Sequence, residues 1–450
     1  MPISDDFAKF IVETKFKDIP PETVKFTKVL TSKCLASMVA GSASPTSKKI
    51  IRYVRERDGR PEAGVVGCGF TTSVENAALA NGFLAHASEL EDDQFPGGGV
   101  SDVTVWPTVV PIAQYLKLSG REFIEAVFVG MEVQNRLARY AHVGTNPKGI
   151  MGLTFFGIFG AVAASCKVLG LSFEETKAAL GVGMAQAIGY MQTTGTDTHF
   201  YESATLNRNA ITVAMLAKEG MTSNPDFERW LNTFCGKGVV ELDKITEGIG
   251  KPPFFIHNVW VKKYPACFFT HRQADAFQTL VQENDITLDQ IESVTVDVGP
   301  CENMCNRPCP SSPEDSRFSY HHVFAAMLLD GDVGEDTFTH EKLEDPRFVE
   351  ARSKVTVRVH EDWPQVYMSP HCPVEVTLKD GQKFSKTNEY TTGCPPLPLT
   401  DEQVAGVYRK CCKGVLTDTE IELTFDIIMN LDKKKDILEL MHILTYRYAA

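Results

Sequence analysis

The chain of 450 residues lacks every short signature of a bound nucleotide or of the common catalytic elbows. No G-x-G-x-x-G follows a strand-like run, and there is no P-loop, no H-E-x-x-H and no G-x-S-x-G. It lacks an uninterrupted apolar run of eighteen residues, so no membrane span is expected. It lacks an excess of positive charge. A formal net charge of −13 argues against a nucleic-acid binder, which would show a basic face. The opening "MPISDDFAKF" has no apolar signal core and the final "YAA" is not a peroxisomal address, so a cytoplasmic location is expected. Internal repeats and low-complexity linkers are missing too. Cysteine is not scarce. Twelve cysteines without a signal peptide read as reduced thiols rather than a disulfide frame.

What is present divides by period, and a chain of this length is expected to hold two domains. From Ile3 to about Lys263 the pattern is helical. "PPETVKFTKVLTSKCLASMVAG" opens on Pro20-Pro21 and closes at Gly41 around an amphipathic stripe. "TSVENAALANGFLAHASELED" and "TFFGIFGAVAASCKVLGLS" are apolar on most sides and read as buried helices. Ser172 and Glu175 stand at capping-box spacing before another helix. After about Asp285 the period shortens. "IESVTVDVG" and "SKVTVRVHED" alternate, and Asp380-Gly381 between two strand-like runs predicts a hairpin. "SYHHVFAAMLLDG" lies between the strands as a buried helix with Gly331 as its stop. From Thr400 the pattern is helical again. The fold class expected is mainly α with an inserted α+β domain: a large all-helical domain from residues 1–266 and 400–450, and a smaller α+β domain over 267–399.

Four stretches could carry chemistry. In "HASELEDDQFPGGG" five ionisable residues fall within eight positions. A helix continued through them puts His86, Glu89 and Asp93 on one face, and crowded carboxylates at a helix C-terminus have raised pKa values suited to proton transfer. Gly97, Gly98 and Gly99 then free the backbone, although a solvated helix end and a surface loop fit the same letters. "TTGTDTHFYESATLNRNA" offers His199 as acid or base and Arg208 as a carboxylate clamp, or else a polar helix start. "KKYPACFFTHRQADAF" sets Lys263 and His271 at a helix start that favours anions, although a lone histidine is also a common structural residue. "CENMCNRPCP" spaces Cys301, Cys305 and Cys309 as C-x3-C-x3-C, which fits neither ferredoxin nor zinc-ribbon ligation, so no metal and no cofactor are expected.

Taken in order, "NGFLAHASELEDD", "FFGIFGAVAASCKVLGLS", "NRNAITVAMLAKEG", "KKYPACFFTHRQADA" and "SRFSYHHVFAAMLLDG" resemble the MmgE/PrpD family along nearly the whole chain. That family includes 2-methylcitrate dehydratase, cis-aconitate decarboxylase and iminodisuccinate epimerase. The resemblance implies a helical domain built from both chain ends and an α+β lid inserted late. It also implies a cofactor-free homodimer with its pocket between the domains. The chemistry implied is proton transfer at carbon next to a carboxylate. The family's acidic motif falls on Glu89-Leu90-Glu91-Asp92, with Asp93 next. Its lid histidine matches His271, its lid tyrosine Tyr320, and a basic position Lys263. Three positions depart. No histidine stands at Thr104–Trp106, Met151 replaces a second histidine, and His199 replaces a lysine.

The roles that follow are Glu89 or Asp93 as base, and His199 or His271 as proton relay. Tyr320 would donate to enolate charge. Lys263 and Arg208 would hold a carboxylate, with Asp92 also lining the site. Trp106 and Met151 would make the pocket more apolar, which implies a small carboxylate substrate with fewer acid groups or a larger hydrophobic part than cis-aconitate. A dehydratase or decarboxylase is placed ahead of an epimerase. A catalytically silent binding homologue is the reading from another class. The partners expected are that substrate and a second copy of the chain, with no nucleic acid and no membrane.

Overall fold

Two glycines decide how the helices around the acidic stretch pack. The computed structural model describes residues 2–446 apart from 58, 96, 98, 365–367 and 370, so Gly98 of the glycine run and the "YAA" end lie outside the described residues. A Cβ at Gly41, in helix Pro21–Ala43, would stand 1.9 Å from the Leu84 carbonyl oxygen in helix Val74–Ala87. A Cβ at Gly82 would meet Asn207 Nδ2 at 2.2 Å and Ala204 Cα at 2.9 Å, both in helix Asp197–Lys218. Helix Val74–Ala87 therefore lies against two neighbours at backbone-contact distance. Helix Pro21–Ala43 is buried on most sides instead of along the single stripe its sequence suggests.

Contacts divide the chain into two units. The first comprises Met1–Thr193, Asp197–Trp260 and Thr400–Ala450. The second comprises Thr194–Thr196 and Val261–Leu399, so Val261–Ala266 belongs with the second unit. In the first unit, helix starts follow their sequence signals. Ser172 and Glu175 form a capping box, as do Thr400 with Gln403 and Thr417 with Glu420. Helix Gly152–Leu169 is long and apolar enough to cross a membrane, with mean hydropathy 1.7, but 83% of it is buried inside the protein, where it serves as a core helix. Asn207 ties helix Asp197–Lys218 to helix Asp102–Leu116: its Nδ2 donates to the Val103 carbonyl (2.9 Å) and its Oδ1 accepts from Thr108 Oγ1 (2.8 Å).

The second unit holds a four-stranded sheet in the order Val355–Val359, Ile291–Val298, Val374–Leu378, Lys383–Lys386. The first pair is parallel and the others antiparallel. Asp380-Gly381 makes the expected hairpin, with Gly381 at φ 88°. Helix Tyr320–Leu329 starts at Ser319, whose hydroxyl accepts the His322 N–H, and Gly331 closes it at φ 77°. Phe324 of this helix stacks on Phe277 of helix Phe268–Glu283 with ring centroids 4.7 Å apart.

Three buried histidines in this unit are held neutral. Burial, with the Lys262 cation adding to it, lowers His271 to about 3. Burial and Arg352 lower His321 and His322 to about 4. His322 shows why: its Nε2–H donates to the Thr337 carbonyl (3.0 Å) while Nδ1 accepts from Arg352 (3.1 Å), so a second ring proton has no acceptor.

Two outcomes follow. Gly82→Ala will lower the urea midpoint by about 1–3 kcal/mol equivalent, because the obstructing atoms include backbone; an unchanged midpoint would mean the helices have room to spare. A base whose folded pKa lies below its unfolded value contributes stability above about pH 6.5 and loses it as pH falls toward about 4. The protein will therefore lose stability from pH 6.5 to 4.5. His322→Gln, which keeps both hydrogen bonds without titrating, will lose it less steeply by about 1.4 kcal/mol per pH unit. Equal slopes in urea titrations would refute this.

Candidate active site

Helix Val74–Ala87 starts at Ser73, whose hydroxyl accepts the Asn76 N–H, and is almost wholly buried. His86 occupies its last turn and is 1% exposed. The helix does not run on through the acidic stretch. Ser88 ends it, and Glu89 takes a left-handed conformation at φ 51° with its N–H on the His86 carbonyl (3.0 Å). The expected i, i+3, i+7 face of His86, Glu89 and Asp93 is thus broken at Glu89. Asp93 instead joins a two-residue strand with Gln94, paired to Val259–Trp260. The break turns the acids inward rather than into solvent: Glu89 is 2%, Glu91 3% and Asp92 1% exposed.

His199 lies in the first turn of helix Asp197–Lys218 and faces His86, with ring centroids 4.3 Å apart. One turn on, Ser203 donates its hydroxyl proton to the Phe200 carbonyl (3.0 Å). Its oxygen therefore accepts from His86 Nδ1–H (3.1 Å). That bond fixes the His86 tautomer and leaves the Nε2 lone pair 4.0 Å from Glu91 Oε1. Donor atoms of His86, Glu89 and His199 all lie within 4.8 Å of one another. Among the described residues this is the one grouping of three metal-type ligands. Cys301, Cys305 and Cys309 form no such group, and all twelve cysteines are free thiols.

Asp102, at the start of helix Asp102–Leu116, closes the site from the other side. Its carboxylate accepts the backbone N–H groups of Asp92 and Val103, each at 2.9 Å. Burial, with the neighbouring Asp92 charge next, pushes its carboxyl well above the usual carboxylate range. Two imidazoles with a buried carboxyl of raised pKa nearby are the equipment of general acid–base chemistry.

The residues expected from sequence separate. Glu89, Asp92, Asp93, Trp106, Met151, His199 and Arg208 lie in the first unit, and Lys263, His271 and Tyr320 in the second. Glu89 and His199 come together with His86, and the Asp92 N–H donates to Asp102. Trp106 is fully buried and donates its indole N–H to Thr31 Oγ1 (2.9 Å). Met151 is half-buried at the start of helix Gly152–Leu169, with its N–H on the Gly189 carbonyl. Arg208 is half-buried on helix Asp197–Lys218.

In the second unit, Lys263 Nζ pairs with Asp275 (3.3 Å), which also accepts from Tyr264 (2.6 Å) and Thr391 (2.6 Å). Tyr320 donates its hydroxyl to the Phe269 carbonyl (3.0 Å). His271 stacks on Phe268 and donates Nε2–H to the Ala266 carbonyl (3.1 Å), while its buried Nδ1 has no hydrogen-bond partner. Sequence reasoning placed His86 and Glu91 in the acidic stretch without a separate role and left out Asp102 and Ser203. The only signal for Asp102 was an aspartate opening an apolar helix.

Residues 5–229 match the MmgE/PrpD N-terminal domain and residues 264–433 the MmgE/PrpD C-terminal domain. The chain is 28% identical to human (Homo sapiens) cis-aconitate decarboxylase over 375 residues, 80% of this chain and 77% of that one. It is 24% identical to the mouse (Mus musculus) cis-aconitate decarboxylase over 463 residues, 98% and 93% of the two chains. To an Aspergillus terreus cis-aconitate decarboxylase it is 24% identical, with 95% and 92% covered. With both domains matched in order across most of its length, the chain belongs to the MmgE/PrpD family.

Proposed function

We propose that this protein, an enzyme of the lyase type, removes carbon dioxide or water from a small di- or tricarboxylate by general acid–base proton transfer, without an organic cofactor. The observation that carries the reading is the buried grouping of His86, Glu89 and His199, with Asp102, whose carboxyl burial pushes above the usual carboxylate range, nearby. The names of the relatives, cis-aconitate decarboxylases, support the substrate class. In a dehydration Glu89 takes the proton from carbon and His199 protonates the departing hydroxyl as water; in a decarboxylation the electron pair left when carbon dioxide departs is protonated at carbon by His199. His86 holds its tautomer through Ser203 and orients the pair. In the second unit, His271, whose neutral ring keeps an acceptor nitrogen, is a candidate proton carrier and Lys263 a candidate carboxylate partner. A homodimer built through helices that are apolar on several faces, and a cytoplasmic location, belong to the same reading.

Purified protein will be incubated in deuterated water with cis-aconitate and with small unsaturated and hydroxy dicarboxylates, and followed by mass spectrometry. Deuterium in the product, with mass lost as carbon dioxide or water, is the expected result. Deuterium uptake without net mass loss would make the enzyme an epimerase, and binding without uptake a silent homologue. Glu89→Gln and His199→Gln will each lower turnover per folded molecule by about 10²–10⁴-fold. Turnover within a few-fold of the parent would remove that residue from the chemistry. Light scattering at micromolar concentration will give twice the chain mass; a monomer would end the dimer proposal.

A further inference from the structure

We propose that His86, Glu89 and His199 form a binding site for a divalent transition-metal ion of the zinc type. Three donors, all buried, have ligand atoms within 4.8 Å of one another. Donors around a tetrahedral zinc ion with bonds of about 2.0–2.1 Å stand roughly 3.3 Å apart. Glu89 reaches the group on a side chain with three rotatable bonds, so closing the remaining gap needs only small rotations.

The tautomer of His86 is already that of a ligand. Its Nδ1–H is held by Ser203 Oγ at 3.1 Å, and the Ser203 proton is directed to the Phe200 carbonyl. That leaves Nε2 as the ring nitrogen that would bind the ion. A hydrogen-bonded outer partner of this kind orients metal-binding histidines and strengthens their lone pair. Glu91 Oε1 lies 4.0 Å from the same Nε2. With Glu91, Asp92 and Asp102 also buried, the site gains more from a doubly charged ion than a neutral pocket would. Two imidazoles and one carboxylate select zinc-type ions over magnesium or calcium, which prefer all-oxygen shells.

The binding claim is independent of the reaction. Its consequence rests on the proton-transfer reading: a metal ion occupies the lone pairs that Glu89 and His199 use to move protons, so zinc and turnover exclude each other.

The test uses cobalt(II) as the probe, because the twelve free cysteines also bind soft metals and thiolate ligation announces itself by an intense near-ultraviolet charge-transfer band. The intact protein will take up a stoichiometric amount of cobalt(II), show visible ligand-field bands without the thiolate band, and melt at a higher temperature with cobalt(II) present. Magnesium will produce none of these changes. Glu89→Gln and His199→Gln will abolish the visible bands, and Ser203→Ala, which removes only the outer partner, will weaken binding by about 10–100-fold. Circular dichroism checks the fold of each variant. No uptake by the parent protein, a thiolate band, or bands undiminished in all three folded variants would overturn the site. Zinc that binds at this site yet leaves turnover intact would keep the site and instead defeat the proton-transfer role of Glu89 and His199.

Discussion

The backbone-to-backbone approach of helix Val74–Ala87 to its two neighbours is the constraint on which the site depends. At Gly41 and Gly82 there is no room for a methyl group. Only with that spacing does the last turn of the helix sit deep enough for His86 to meet His199 and Ser203 on helix Asp197–Lys218. Close-packed interiors transmit small volume changes over several residues. A side chain added at Gly82 thus acts on His86 one turn away as well as on the fold.

Burial then sets the chemistry. The same desolvation that keeps the second unit's histidines neutral raises Asp102 in the first. In each case water is excluded first, and hydrogen bonds to backbone groups decide which atom carries the proton. Asp102 accepts two N–H groups, His322 is held between a carbonyl and Arg352, and His271 donates to Ala266. Charge in this protein is governed less by ion pairs than by which polar atoms the fold removes from solvent.

Much of the architecture was legible in the sequence because local chemistry wrote it. Capping boxes at Ser172 and Thr417, the Asp380-Gly381 turn and the Gly331 stop are decided within a few residues. The family resemblance was legible through short motifs. The candidate site was legible only in part. Glu89 and His199 were named from sequence and the fold brings their donor atoms together, but periodicity could not foresee that Glu89 would break the helix, because a left-handed glutamate is imposed by tertiary packing rather than by propensity. Trp106 was read as a pocket wall, and the fold gives its indole N–H a partner in Thr31, seventy-five positions away in sequence. Ser203 and Asp102 carry no distinctive letter pattern, and their roles exist only through contacts with distant residues.

The left-handed backbone at Glu89 sets protein engineering against function. A glycine there would relieve roughly 1 kcal/mol of local strain and so make the fold more robust, while deleting the carboxylate the cluster needs. Selection for thermal resistance alone would favour that replacement and return a sturdier, inert molecule. At Glu89 the fold carries a conformation that glycine would relieve, together with a carboxylate that the proposed proton transfer requires.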